Sequence, residues 1–268
     1  LWAEVEGETL DMTSPEILDI DGRAYVKIRR DLAAKNGADI LHATVSFTAA
    51  EGTRTGTYAL SIPSYAKRVT AGAYDDTTKD LMRDMLSYIE AALAYFDTSS
   101  EEKLAAIREI IAEDYNAALD AASVGLTEEN AVSRDTGSAL DTVCLHLTST
   151  PAFVFYLKEG KASLAKSFRF SSKSGAPLTS EIRVASDGRT YLEVTTYAYG
   201  MGDTLTFTYT DEDGNTQSGA YHLASYYLGI ATDEAGITEA AKAKREELAT
   251  LTLRLAKYSA AAKAYRTA

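Results

Sequence analysis

The chain carries a single cysteine, Cys144, in 268 residues. One thiol excludes an intramolecular disulfide and any CxxC metal cluster. It lies in TVCLHL, an alternating strand pattern, and reads as a buried or half-buried structural thiol. The lack of disulfides suits a cytosolic protein and a Gram-positive surface protein equally, so it sets no compartment. Positive charge is scarce too: 27 Lys and Arg against 39 Asp and Glu leave a net charge of −12. That balance argues against nucleic acid and against anionic membrane surfaces, both of which call for basic patches. No apolar run approaches the length of a membrane span. No signal peptide opens the sequence, but Leu1 is not a start methionine, so residue 1 reads as a processing or cloning boundary.

Residue patterns for chemistry are missing as well. His42, His146 and His222 each alternate with apolar neighbours and read as solvent-facing or edge histidines, without HExxH or HxH spacing. There is no GxSxG elbow, Cys144 has no evident base partner, and no glycine loop for nucleotides occurs. Carboxylates abound, and nothing singles out a catalytic pair. Asp211, Asp213 and Asn215 match the first three ligand positions of a calcium loop. However, Thr216 replaces the required glycine and His222 the closing glutamate, so a hairpin turn with Asp213-Gly214 at its tip is expected. The sequence thus predicts no catalytic residue, no metal and no cofactor.

What is present is architecture. Hydrophobic residues make up 46%, enough for real cores, and the length suits one large or two medium domains. Leu248, Leu251, Leu255, Tyr258, Ala262 and Tyr265 form one helical stripe, and the same stripe occurs at Leu81, Met85, Tyr88, Ala92 and Tyr95, displaced by 170 residues. DGRAY (21–25) recurs as DGRTY (187–191), an Asp-Gly hairpin signal each time. ADILHATVSF (38–47) matches GDTLTFTYT (202–210), and Ser64-Tyr65 matches Ser225-Tyr226. Trp2 aligns with Phe168 and reads as core. Such self-similarity is the mark of a repeat.

The predicted fold class is α+β. Two repeated modules are expected, each an antiparallel β-sandwich-like unit closed by a C-terminal helical hairpin and joined by an amphipathic helix. The boundaries are 1–97 for the first module, which reads as N-terminally incomplete, 98–137 for the connector and 138–268 for the second module. The connector opens with a capping box at Ser99 and Glu102, continues through Leu104, Ile107, Ile111, Tyr115 and Ala118, and stops at Gly125. TVCLHLTSTPAFVFYL (142–157) supplies two strands without a counterpart in the first module. Either those strands are missing from this sequence or another segment covers that edge. Each closing helix is expected to pack on its own short helix and sheet, with Tyr258 and Tyr265 facing inward.

PAFVFYL, TYAYGMGDTLTFTY, GAYHLASYY and the closing LAKYSAAAKAY resemble a module of large, repeat-built surface proteins of gut Clostridia-type bacteria. Tyr258, Ala261, Ala262 and Tyr265, and Tyr88, Ala91, Ala92 and Tyr95, match its Tyr-x-x-Ala-Ala-x-x-Tyr-like signature. The resemblance implies an extracellular protein, cell wall-associated or secreted, with a host protein such as an immunoglobulin, or a polysaccharide, as partner. It carries over no catalytic residue. Candidate binding residues come from comparing the copies: Tyr197 and Tyr199 align with Asp31 and Ala33, and Tyr227 with Ala66. Aromatics gained in one copy either form an exposed platform or fill core space in the larger second module.

Overall fold

The computed structural model describes residues 2–10, 12, 14–132, 139–231 and 237–268, without the side chains of Trp2, Ala24 and Ala49. The side-chain position expected for Trp2 therefore lies outside the described residues, as does part of the stretch that ends the connector. Within them the chain is mixed α+β, with several antiparallel sheets and a long C-terminal helix.

The first six strands are three hairpins: β1 (Trp2–Val5) with β2 (Glu8–Leu10), β3 (Glu16–Ile20) with β4 (Arg23–Lys27), and β5 (Leu41–Ala49) with β6 (Gly52–Leu60). Asp21 and Gly22 both adopt positive φ, 52° and 73°, as a two-residue type I′ turn demands. Four strands join in the order β2-β1-β5-β6, while β3 and β4 form a separate two-stranded ribbon whose described side chains are all exposed. Helix α1 (Ile62–Ala71) starts at a Ser61–Ser64 capping box with Pro63 in its first turn. Helix α2 (Asp76–Tyr95) starts where the Asp75 carboxylate accepts from the Thr78 amide.

In the connector, α3 (Glu101–Arg108) is capped by Ser100 rather than the expected Ser99. Two serines precede two glutamates, so the pattern fits either frame. The predicted stripe is not one helix, since α3 ends at Arg108. Ile107 and Ile111 nonetheless bury against Leu86, Ile89 and Leu93 of α2. Gly125 does stop a turn, in left-handed geometry at φ 75°.

The second half begins with β7 (Leu140–His146) and β8 (Ala152–Leu157). It continues through β9 (Arg169–Ser172), β10 (Pro177–Leu178), β11 (Ser180–Val184), β12 (Thr190–Thr195), β13 (Leu205–Thr210) and β14 (Thr216–Tyr221). These form two antiparallel sheets, β11-β12-β8-β7 and β10-β9-β13-β14. Phe155 lies between them, its ring 5.1 Å from Phe170, 6.0 Å from Phe207 and 5.6 Å from Tyr221. Strict alternation on β13 buries Leu205, Phe207 and Tyr209 and exposes the threonines between them. Each such aromatic contributes roughly 1.5–3 kcal/mol by leaving water. Asp211 takes amide donors from Asp213 and Asn215 and a side-chain donor from Gln217 in the hairpin turn expected between β13 and β14.

Helix α4 (Leu223–Ala231) and helix α5 (Glu239–Thr267) complete the fold. Here the expected packing needs correction. Although α5 does touch α4, its main partner is α2, which it crosses antiparallel, with Lys244 bonded to Asp97 and Lys257 to Asp84. Tyr265 is exposed instead of inward-facing. A 3-4 stripe records that one face is apolar and says nothing about what covers it. Tyr88 and Tyr258 stack at 5.8 Å and 14° across this contact, and the buried Tyr88 hydroxyl has no hydrogen-bond partner among the described residues. Around the pair, Asp84 accepts from Lys257 (3.0 Å) and Tyr115 (3.0 Å), while Arg254 donates to the Ser87 carbonyl (3.1 Å). Tyr88, Ala91 and Ala92 of α2 thereby join the core of the second half.

Candidate functional site

Tyr197 and Tyr199 stand on a short 3-10 turn, Ala198–Gly200, just after β12. Three contacts pin this loop. The Thr196 hydroxyl donates to Met201 Sδ in the core, the Gly202 amide donates to Ser259 Oγ of α5 (2.9 Å), and His222 Nε2 meets the Gly202 carbonyl (3.0 Å). Held this way, Tyr197 takes φ 57° and ψ 166°, a region that side-chain-bearing residues rarely occupy. Its ring is exposed and lies 5.8 Å from that of Tyr199, nearly parallel at 10°. Arg266, in the last turn of α5, places its guanidinium 4.2 Å from the Tyr199 ring centre. A cation at that distance from an aromatic face is attracted by the ring quadrupole.

The two tyrosines border a groove of about 740 Å³ between this loop, the β9–β10 turn and the end of α5. Its polar groups include the Ser172, Ser174, Thr179 and Thr195 hydroxyls together with Lys173 and Lys263. The Asp203 carboxylate in the groove is held by Lys263 at 2.5 Å. Among the described residues no second carboxylate lines the groove, and neither histidine nor cysteine does. What the arrangement offers is a flat aromatic surface, hydroxyls and cations. Aromatic surface with a few converging polar groups is a composition suited to holding a ligand.

The third candidate, Tyr227, is not part of this assembly. It sits on α4, half-buried against the core of the second half, and does not line the groove. Sequence comparison between the copies pointed to Tyr197 and Tyr199 but gave no sign of Lys263 or Arg266. Those two arrive from the far end of the chain, so no local pattern ties them to the loop.

The other groups considered for chemistry are placed as follows. Of the solvent-facing or edge position expected of it, His222 has the second, directly after the edge strand β14, but its side chain is buried: its Nδ1 accepts from the Ala224 amide and its Nε2 donates to Gly202. Burial holds its pKa below the ordinary histidine value, which keeps the ring neutral. His146 Nδ1 lies 3.2 Å from Glu193, which also receives Arg183 at 2.9 Å. Burial pushes the Cys144 thiol up, with Arg189 opposing only in part, so the thiolate is disfavoured. Among the described residues no group of three His, Cys, Asp or Glu side chains is placed to hold a metal ion, and no helix is long and apolar enough to cross a membrane. No protein-family model matches the chain, and neither a curated protein nor a solved structure does.

Proposed function

We propose that the chain is a non-catalytic binding module of a bacterial surface protein, extracellular and cell wall-associated or secreted. Its partner in this reading is a host protein, such as an immunoglobulin or a mucosal protein, engaged at the groove beside Tyr197 and Tyr199. The observation that carries the reading is Tyr197 itself: a bulky side chain at positive φ with its ring uncovered and parallel to a second ring. Strain of that kind costs of order 1–3 kcal/mol and persists where more than packing selects it. Tyrosine supplies large, rigid contact area with a hydroxyl at its tip, a favoured composition for an interface anchor. Retention from mucosal secretions, lost in the Tyr197→Ala/Tyr199→Ala double variant, is the expected result of a pull-down. Equal retention by the double variant overturns the site.

A carbohydrate partner is the second reading, favoured by the serine and threonine hydroxyls that rim the same aromatic ledge. Affinity electrophoresis and a glycan array test it, and retardation by no polysaccharide removes it. If both experiments are empty, a structural spacer is left.

The proposal includes an internal duplication, with modules at 1–97 and 138–268 and a connector at 98–137. Three features support it. The strand orders β2-β1-β5-β6 and β10-β9-β13-β14 are the same pattern, each followed by a short and then a long helix. Gly56 lies opposite Val45 and Gly219 opposite Phe207, and two residues on, Tyr58 faces Ala43 and Tyr221 faces Leu205. A side chain at Gly219 would come within 2.4 Å of the Phe207 ring, so the glycine is needed there. Finally, the contacts between α2 and α5 are reciprocal at the 170-residue displacement: Tyr88 meets Tyr258, Asp84 meets Lys257 and Ser87 meets Arg254. Position i touching j′ while j touches i′ is the signature of two-fold, isologous packing.

A further inference from the structure

The chain as a whole is acidic, with a net charge of −12, yet the groove beside Tyr197 reverses that sign. Lys173, Lys263 and Arg266 line it against a single carboxylate, Asp203. Lys263 and Asp203 neutralise each other at 2.5 Å. Lys173 and Arg266 are exposed and have no carboxylate partner among the described residues. Arg266 instead lays its guanidinium on the Tyr199 ring. A guanidinium stacked in this way is held in orientation and keeps its in-plane N–H donors for a carboxylate, which it meets with two parallel hydrogen bonds.

Donors also outnumber acceptors in the groove. Ammonium and guanidinium groups only donate, and among the described residues no Asn or Gln lines it. Besides hydroxyl and main-chain oxygens, the acceptor present is Asp203, which Lys263 already holds. A neutral polyol brings about as many donors as acceptors, and its donors would find few partners here. A carboxylate brings acceptors alone. The exposed Pro177 and the uncovered Tyr197 ring add apolar surface suited to an aliphatic or aromatic side chain. Carboxylates and such side chains occur together on an acidic polypeptide.

We infer that the groove takes an acidic polypeptide segment of the partner, with carboxylates on Arg266 and Lys173 and an apolar or aromatic side chain laid on Tyr197. The inference rests on the reading of this groove as a binding site for a protein and names the chemistry of what enters it. Asp203 opposes such a ligand, because it adds a negative charge and occupies Lys263.

The test titrates the full chain into a fluorescein-labelled random copolymer of glutamate and tyrosine, followed by fluorescence anisotropy. Binding is expected, and Arg266→Gln and Lys173→Gln should each weaken it by roughly tenfold. Asp203→Asn should strengthen it by roughly threefold or more, since Lys263 is released to the ligand. A loss of affinity through general disturbance of the loop would not produce that gain. The net negative charge of the chain repels the copolymer, so an affinity that responds to these three positions reports the groove. No binding, binding unchanged in both cation variants, or weakening in Asp203→Asn overturns the proposal. Polygalacturonate, a carboxylate-bearing polysaccharide, is the glycan arm. If it binds as tightly as the copolymer and is lost in the same variants, the ligand is an acidic glycan and the polypeptide assignment is overturned. The underlying reading is judged separately. A mucosal protein that the Tyr197→Ala/Tyr199→Ala variant loses but Arg266→Gln and Lys173→Gln retain in full overturns the charge assignment and leaves the binding site standing. Retention of no mucosal protein counts against that reading, while the copolymer titration still decides the chemistry of the groove.

Discussion

Tyr197 occupies a backbone conformation that glycine adopts at little cost and tyrosine does not. Tyr197→Gly is therefore expected to raise unfolding stability by about 1 kcal/mol in urea titration, while removing the ledge and any binding that depends on it. A stabilising substitution that destroys binding would show that the strain is kept for recognition. His222 allows a prediction in pH. Its folded pKa is lowered, so below the unfolded value near 6.5 the unfolded chain takes up a proton that the folded chain resists. The His222 contribution thus falls as pH drops from about 6.5 through the lowered folded pKa, and it is constant above. Thermal melts between pH 5 and 8 should show this slope, and His222→Asn should flatten it. The burial of His222 was not legible in the sequence. In GAYHLA it continues a strand alternation, but the chain turns into α4 there, and the ring caps that turn.

Hairpins and strand faces were the most legible elements. Leu205, Phe207 and Tyr209 alternate because β13 has one dry face, and period two leaves no other reading. The partner of a helix was far less legible. The stripes at Leu81–Tyr95 and Leu248–Tyr265 are equally compatible with packing on a sheet and on each other. What selects the second arrangement is a set of polar pairs (Asp84 with Lys257, Arg254 with Ser87 and Glu90) whose members lie far apart in sequence. Asp84 is buried, so Lys257→Ala leaves a carboxylate without its cation, and Asp84→Ala leaves the Lys257 ammonium without its anion. Either change should cost about 3 kcal/mol by chemical denaturation. Tyr88→Phe should act in the opposite direction. It removes a buried hydroxyl that has no partner while keeping the ring stacked on Tyr258, and a gain of about 1 kcal/mol is expected by the same measurement.

At the scale of the whole molecule, the core of the second half includes Tyr88, Ala91 and Ala92 from the first. Unfolding one half would strip cover from the other, so calorimetry should record a single cooperative transition rather than two. Two separate transitions would mean that the α2–α5 contact couples the halves weakly. The candidate site shows the same long-range dependence: its two tyrosines are two residues apart in the chain, whereas Arg266 reaches them only because α5 returns alongside the second half. The antiparallel α2–α5 contact also bears on reach. Under the proposed duplication, modules strung end to end would lengthen a stalk with every repeat, whereas a pair doubled back along its closing helices would add less height for the same two repeats. A surface protein built from such pairs would grow in girth and number of presented faces faster than in distance from the cell.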